Sequence, residues 1–249
     1  MATLATLLAA LTACGGGGST GSAGSTGTDD APGADGRRHT AHPAPGPSTA
    51  DPTRVPGVGD RLLRRIPASS RQVVAVYGEG KNSSDSTVVL YTRTGTDWHR
   101  VAGWPAHNGR HGWTTHHHVD DGRSPVGVFT LSDAGGRLRD PGARLPYRQD
   151  PAYAPPAEWD AAHQHDFDYV IAIDYNRIRG TSPLDPTRPQ GEAKGGGIWL
   201  HLDHHSGTSA CVSVSEKAME FLLRTLDPSR HPVIVMGDRA ALSAGRPTV

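Results

Sequence analysis

The stretch Gly195-Gly196-Gly197-Ile198-Trp199-Leu200-His201-Leu202-Asp203-His204-His205-Ser206-Gly207-Thr208-Ser209-Ala210-Cys211-Val212-Ser213-Val214 says more about the fold than any other part of the chain. Alternation from Ile198 onward reads as a strand, with Ile198, Leu200 and Leu202 on one face and Trp199, His201 and Asp203 on the other. A polar, glycine-containing turn follows, and a second strand begins at Cys211. A hairpin-like return after His201 would set Cys211 opposite or diagonal to it, within the reach an imidazole needs to take a thiol proton. On this reading His201 faces away from the aliphatic core.

Similar short apolar runs, each bounded by Gly, Pro, Asn or Asp, occur at Gln72–Tyr77, Thr87–Thr92, Trp98–Trp104, Gly127–Leu131, Tyr169–Ile173 and Val233–Met236. Together with Ile198–Leu202 they predict a mainly β fold, a sandwich or barrel. One helix is predicted at Ser215–Leu226, where Met219, Leu222, Leu223 and Leu226 fall at i, i+3, i+4 and i+7 and Asp227-Pro228 ends the pattern. It should cover one face of the sheet. The irregular stretches around Asp140–His165 and Arg179–Gly197 read as functional loops on this scaffold.

Charge is balanced, with 25 basic and 25 acidic side chains, so no net field recommends nucleic acid as a partner. The two cysteines, Cys14 and Cys211, lie in such different settings that each is read as a separate chemical group. Residues 1–14 hold an apolar run too short to span a bilayer and suited to a signal peptide. That run ends Leu11-Thr12-Ala13-Cys14, which resembles the lipobox of bacterial lipoproteins, whose cysteine is lipidated. Residues 15–54 are rich in Gly, Ser, Thr and Pro and cannot bury enough apolar surface to order themselves, so they read as a flexible tether. The folded domain is expected over 55–240, with a tail at 241–249.

A thiol with a pKa of about 8.5 is mostly protonated at neutral pH, whereas a neighbouring imidazole can accept its proton and release a thiolate able to attack a carbonyl. Backbone N–H groups of Ala210 and Cys211 are placed to receive the oxyanion that develops. Asp203, His204 or a local carbonyl could orient His201, and Trp199 shares its face. Alternatively, Cys211 is a small buried hydrophobe. The clusters His116-His117-His118 and His201-Leu202-Asp203-His204-His205 raise a zinc hydrolase as another option, although no His-Glu-x-x-His helix is present.

The segment Ile198–Val214 resembles the catalytic motif of the L,D-transpeptidases, which place a histidine on one strand, then a turn, then Ser-His-Gly-Cys or Gly-Cys. Further blocks agree in order: His118–Phe129, similar to the family's Gly-Asp-Gly-x-Thr-Pro-x-Gly-x-Phe, then Leu145-Pro146-Tyr147, Asp168–Asn176 and Pro232–Gly237. The resemblance covers roughly Arg71 to Asp238 and implies an L,D-transpeptidase-like catalytic domain. It implies Cys211 as nucleophile and His201 as base, acting on peptidoglycan stem peptides without a metal or organic cofactor. Release of D-alanine would leave a thioester, resolved by an amine to give a 3→3 cross-link or by water, and carbapenems would acylate the same thiol. An exported, lipid-anchored monomer at the cell wall is expected. Ser209-Ala210-Cys211 stands where the family has glycine before the cysteine. If that position were left-handed, alanine would cost about 1–2 kcal/mol. The alternative is therefore a wall-binding lipoprotein that keeps the fold without the activity.

Overall fold

Two valine-rich runs form the middle of the molecule. In the computed structural model, which describes residues 51–245, β1 (Gln72–Gly78) lies parallel to β12 (Val233–Asp238), with Val73 beside Val233. Both strands are buried on both faces, as their nearly unbroken apolar character requires. Val74, Val76, Ile234 and Met236 enter the main core, whereas Val73, Ala75, Val233 and Val235 enter a second cluster behind the sheet.

Other strands add outward from this pair. They are β2 (Asp85–Thr94), β3 (Asp97–His107), β6 (Gly127–Thr130), β7 (Ala134–Gly136), β8 (Tyr147–Gln149), β9 (Val170–Ala172), β10 (Trp199–Leu202) and β11 (Val212–Val214). Their order in the ten-stranded sheet is β6-β12-β1-β2-β3-β11-β10-β9-β7-β8, and a separate two-stranded ladder joins β4 (Trp113–Thr114) to β5 (Ser124–Pro125). The fold is mainly β, as expected, and is built on one mixed sheet. The main core unites side chains of β1, β2 and β12 with those of β9, β10 and β11.

The predicted helix is α2 (Glu216–Thr225), capped by the Ser215 hydroxyl, which accepts from the Ala218 N–H. Ala218, Met219, Leu222 and Leu223 are buried against the sheet. Its other end is closed from a distance. Buried Gln72, the first residue of β1, donates from Nε2 to the Thr225 carbonyl (2.8 Å) and accepts from the Asp227 N–H (2.8 Å). These bonds satisfy groups that a helix terminus otherwise leaves open.

The second cluster extends packing past the expected domain limits. Val55, Val58 and, from α1 (Asp60–Leu63), Leu62 share this cluster with Leu242 of α3 (Arg239–Ser243), and the Trp98 N–H donates to the Pro52 carbonyl (2.7 Å). Leu242, placed in the tail by sequence, is thus a core residue. Cys14, the signal segment and most of the tether lie outside the described residues. Among the described residues no helix is long and apolar enough to cross a membrane.

Leu222 is fully buried between α2 and the sheet, whereas Phe221 on the same helix is exposed and packs only at the surface, 5.4 Å from the Trp104 ring. Replacing Leu222 with alanine should lower unfolding free energy by about 2–5 kcal/mol, and replacing Phe221 by less than about 1.5 kcal/mol, measured by urea denaturation.

Candidate active site

The return after His201 is not a hairpin. β10 and β11 run parallel, with Leu200 beside Val212 and His201 beside Ser213. The same register sets Trp199 beside Cys211, so His201 is the diagonal neighbour of Cys211 one step along. A strand spacing of about 4.8 Å and a two-residue rise of about 6.6 Å put their β-carbons about 8 Å apart on one face. Trp199 and His201 lie on one face of β10, where the Phe167 ring lies edge-on to both (5.3 Å and 5.4 Å).

The His201 ring is oriented by a local carbonyl. Nδ1 sits 2.7 Å from the Leu202 carbonyl, which can only accept, so the proton resides on Nδ1 and Nε2 keeps its lone pair. Nε2 has no hydrogen-bond partner. Burial, opposed in part by the Asp166 carboxylate, drives the pKa of this imidazole down to about 4. The ring is therefore neutral near pH 7 and holds an open basic nitrogen.

Around Cys211 backbone groups hold the thiol. Sγ receives the Trp199 N–H (3.4 Å) and approaches the Gly197 carbonyl (3.6 Å) as donor. The first contact favours thiolate and the second favours thiol, so Sγ can exchange its proton without losing every partner. The Cys211 carbonyl accepts from Thr208 Oγ1 (2.7 Å). The buried Ser124 hydroxyl accepts from the Gly109 N–H (2.9 Å) and lies 2.7 Å from the Ala210 carbonyl and 3.2 Å from that of Cys211. Ser124 thereby ties the upstream glycine-proline block to the backbone at Ala210 and Cys211.

Ala210 carries no backbone strain. Among the described residues, non-glycine positions with positive φ are Asp120, Asn176, His205 and His231. The alanine is therefore compatible with this turn. The triple glycine upstream has two separate causes: Gly195 and Gly197 both adopt φ +65°, and a methyl group on Gly196 would collide with the Arg188 side chain.

The other residues singled out in the sequence are distributed as follows. Asp203 does not reach His201; it accepts from Ser213 Oγ (2.7 Å) and pairs with His107 Nδ1 (2.7 Å). Burial pushes its carboxyl up, and these two partners more than offset that and hold it below the usual range. His204 stacks almost parallel on His201, 6.1 Å between centroids. Ser209 Oγ accepts from Arg110 (3.2 Å). His116 and His118 are exposed and gather no carboxylate or cysteine into a metal-binding group. Arg177, in the loop before β10, is buried in a knot with Asp133 and Asp174. Sequence reasoning missed Ser124, Thr208, Phe167 and Asp166. Ser124 stood within a quoted block, but nothing in its spacing revealed its partners.

Both side chains are enclosed: His201 is 0% exposed and Cys211 1%. Next to Trp199 lies a shallow apolar depression with room for about one water molecule, lined by Tyr153, Pro155, Pro156, Phe167, Leu184 and Trp199. Trp199 forms part of its wall while its backbone N–H reaches Sγ, and its indole Nε1 is buried without a partner.

No protein-family model matches the chain, and no curated protein matches it. Among solved structures, the Bd1075 protein of Bdellovibrio bacteriovorus is similar at a TM-score of 0.38 and 18% identity. The match covers 67% of this chain and spans about half, 48%, of that one.

Substituting Ser124 with alanine should strand the Gly109 N–H and weaken the carbonyls of Ala210 and Cys211, costing about 1–3 kcal/mol in stability. Substituting exposed Ser206 should change stability by less than about 0.5 kcal/mol by the same denaturation measurement.

Proposed function

We propose that this chain is an L,D-transpeptidase-like acyltransferase of the bacterial cell wall, exported and held at the membrane through Cys14. The observation that carries the proposal is the diagonal placement of Cys211 and a neutral His201 with an open Nε2 on one face of adjacent strands, their β-carbons about 8 Å apart. The mainly β architecture and the order of the quoted blocks along it are compatible with the family's catalytic domain.

In the proposed reaction His201 Nε2 takes the Cys211 proton and Sγ attacks the L-centre carbonyl of diaminopimelate in a tetrapeptide stem. A C–S bond forms, and the oxyanion is held by the N–H groups of Ala210 and Cys211. When the tetrahedral intermediate collapses, the C–N bond to D-alanine breaks and the imidazolium returns its proton to the leaving amine. The Leu202 carbonyl favours that transient cation. An amine of a second stem, or water, then loses a proton to His201 and displaces the thiolate. This chemistry calls on no cofactor.

The neighbouring apolar depression shares Trp199 with the strand that meets Sγ, and it would have to widen to admit a stem peptide. Arg188 packs across Gly196 and Gly197, beside the carbonyl that faces Sγ, and supplies a cation suited to a stem carboxylate. The enclosure of both reactive groups favours a second reading, a wall-binding protein without turnover.

Intact-mass spectrometry after incubation with a carbapenem separates the two. The expected result is one covalent adduct on the wild-type chain, none on Cys211→Ala, and formation slowed about a hundredfold or more in His201→Gln. A folded wild-type chain that gains no adduct yet sediments with purified peptidoglycan would replace the enzyme reading with the binding one.

A further inference from the structure

We propose that His163, Asp166 and His204 form a binding site for one zinc-type divalent ion, which fastens the segment before β9 to the end of β10, the strand carrying His201. These three residues form a group of metal-ligating side chains whose donor atoms all lie within 4.8 Å of one another. Asp166 Oδ2 is 3.0 Å from His163 Nδ1 and 3.1 Å from His204 Nδ1. Around tetrahedral zinc, with bonds of about 2.0–2.1 Å, donor atoms sit about 3.3 Å apart, so an ion can enter with little movement.

A second observation points to a ligand. His204 is buried, yet neither of its ring nitrogens makes a hydrogen bond of acceptable direction, although Nδ1 comes close to the carboxylate. A buried imidazole left in this state is costly, and buried polar groups in native proteins are nearly always satisfied. An ion between the three donors would satisfy His204 where the carboxylate alone does not. The two histidine rings lie 4.2 Å apart between centroids, close enough for both to share one ion.

The donor set selects the ion. Two imidazoles and one carboxylate match zinc better than calcium or magnesium, which take mostly oxygen, and leave a fourth position for water. The frame is already built. His163 closes a short 3-10 turn (Ala161–His163), the Asp166 N–H donates to the His163 carbonyl (3.2 Å), and the Leu202 N–H donates to the Asp166 carbonyl (3.0 Å). Trp159 packs edge-on to His163 and Phe167, screening the site with apolar surface. The ion would hold Phe167 over Trp199 and His201 and takes no part in acyl transfer. The proposal therefore stands or falls independently of the enzymatic reading.

The test uses the full chain, stripped with chelator, dialysed against zinc and then against buffer, with metal measured by plasma mass spectrometry. About one equivalent should remain on the wild type and on Cys211→Ala and His116→Ala/His118→Ala, and His204→Gln and Asp166→Asn should lose most of it. Circular dichroism checks that the variants fold. Zinc should raise the melting temperature of the wild type but not of His204→Gln. Should the variants fail to fold, cobalt(II) on the wild type decides: the visible bands of a four-coordinate nitrogen and oxygen site support the proposal, and a sulfur-to-cobalt charge-transfer band overturns it. Absence of retained zinc on the wild type, or loss of zinc with Cys211→Ala, also overturns it.

Discussion

A parallel neighbour normally needs a long crossover, yet only Asp203 to Cys211 separate β10 from β11. Those nine residues must travel back along a four-residue strand of about 13 Å, which an extended chain can do but a helix cannot. The returning segment consequently has to find its hydrogen bonds outside regular structure. It finds them on buried polar side chains and on the end of β3. The Thr208 N–H donates to the Asn108 carbonyl, the Arg110 N–H donates back to Thr208, and the hydroxyls of Ser124 and Thr208 close on the carbonyls before β11. The direction of this one pairing decides where Cys211 sits just ahead of β11, which face it shares, and why the upstream Ser124 block must lie against it.

The same enclosure that fixes the thiol sets the electrostatics. Water is excluded from His201, so the ring stays neutral and its single well-made bond to the Leu202 carbonyl determines the tautomer. Charges nearby are confined to satisfied groups. Asp203 is absorbed by Ser213 and His107, and Arg177 by Asp133 and Asp174. Burial of Asp174 pushes its carboxyl upward even against Thr130 and Arg177, which shows how dry that knot is. The loops flanking β10 are thus anchored by ionic interactions that leave the Cys211 thiol and the His201 imidazole outside the ion pairs.

Much of the scaffold was legible because strand and helix write themselves as local periods. Every strand read from alternation is present within a few residues of its expected limits, and Ser215 opens α2 where the sequence placed its start. The sharing of a face by Trp199 and His201 followed from the two-residue repeat alone. Strand direction was not legible, since alternation is the same whether the next strand returns or runs alongside. Very short strands such as β4, β5, β7 and β8 carry too few residues to show a period. Long-range polar partnerships were equally hidden: nothing near Gln72 announces that it closes α2, and nothing near His204 announces Asp166.

The parallel contact of β1 with β12 joins residues from opposite ends of the folded unit. A ribosome releases β1 long before its neighbour exists, and until then the hairpin of β1 and β2 presents a valine-rich open edge. Such a chain has little to gain from early folding and much to lose by sticking to its kind. Because its last strand completes its first, it is well suited to being handled as an unfolded thread that acquires its shape once, after the whole length has arrived.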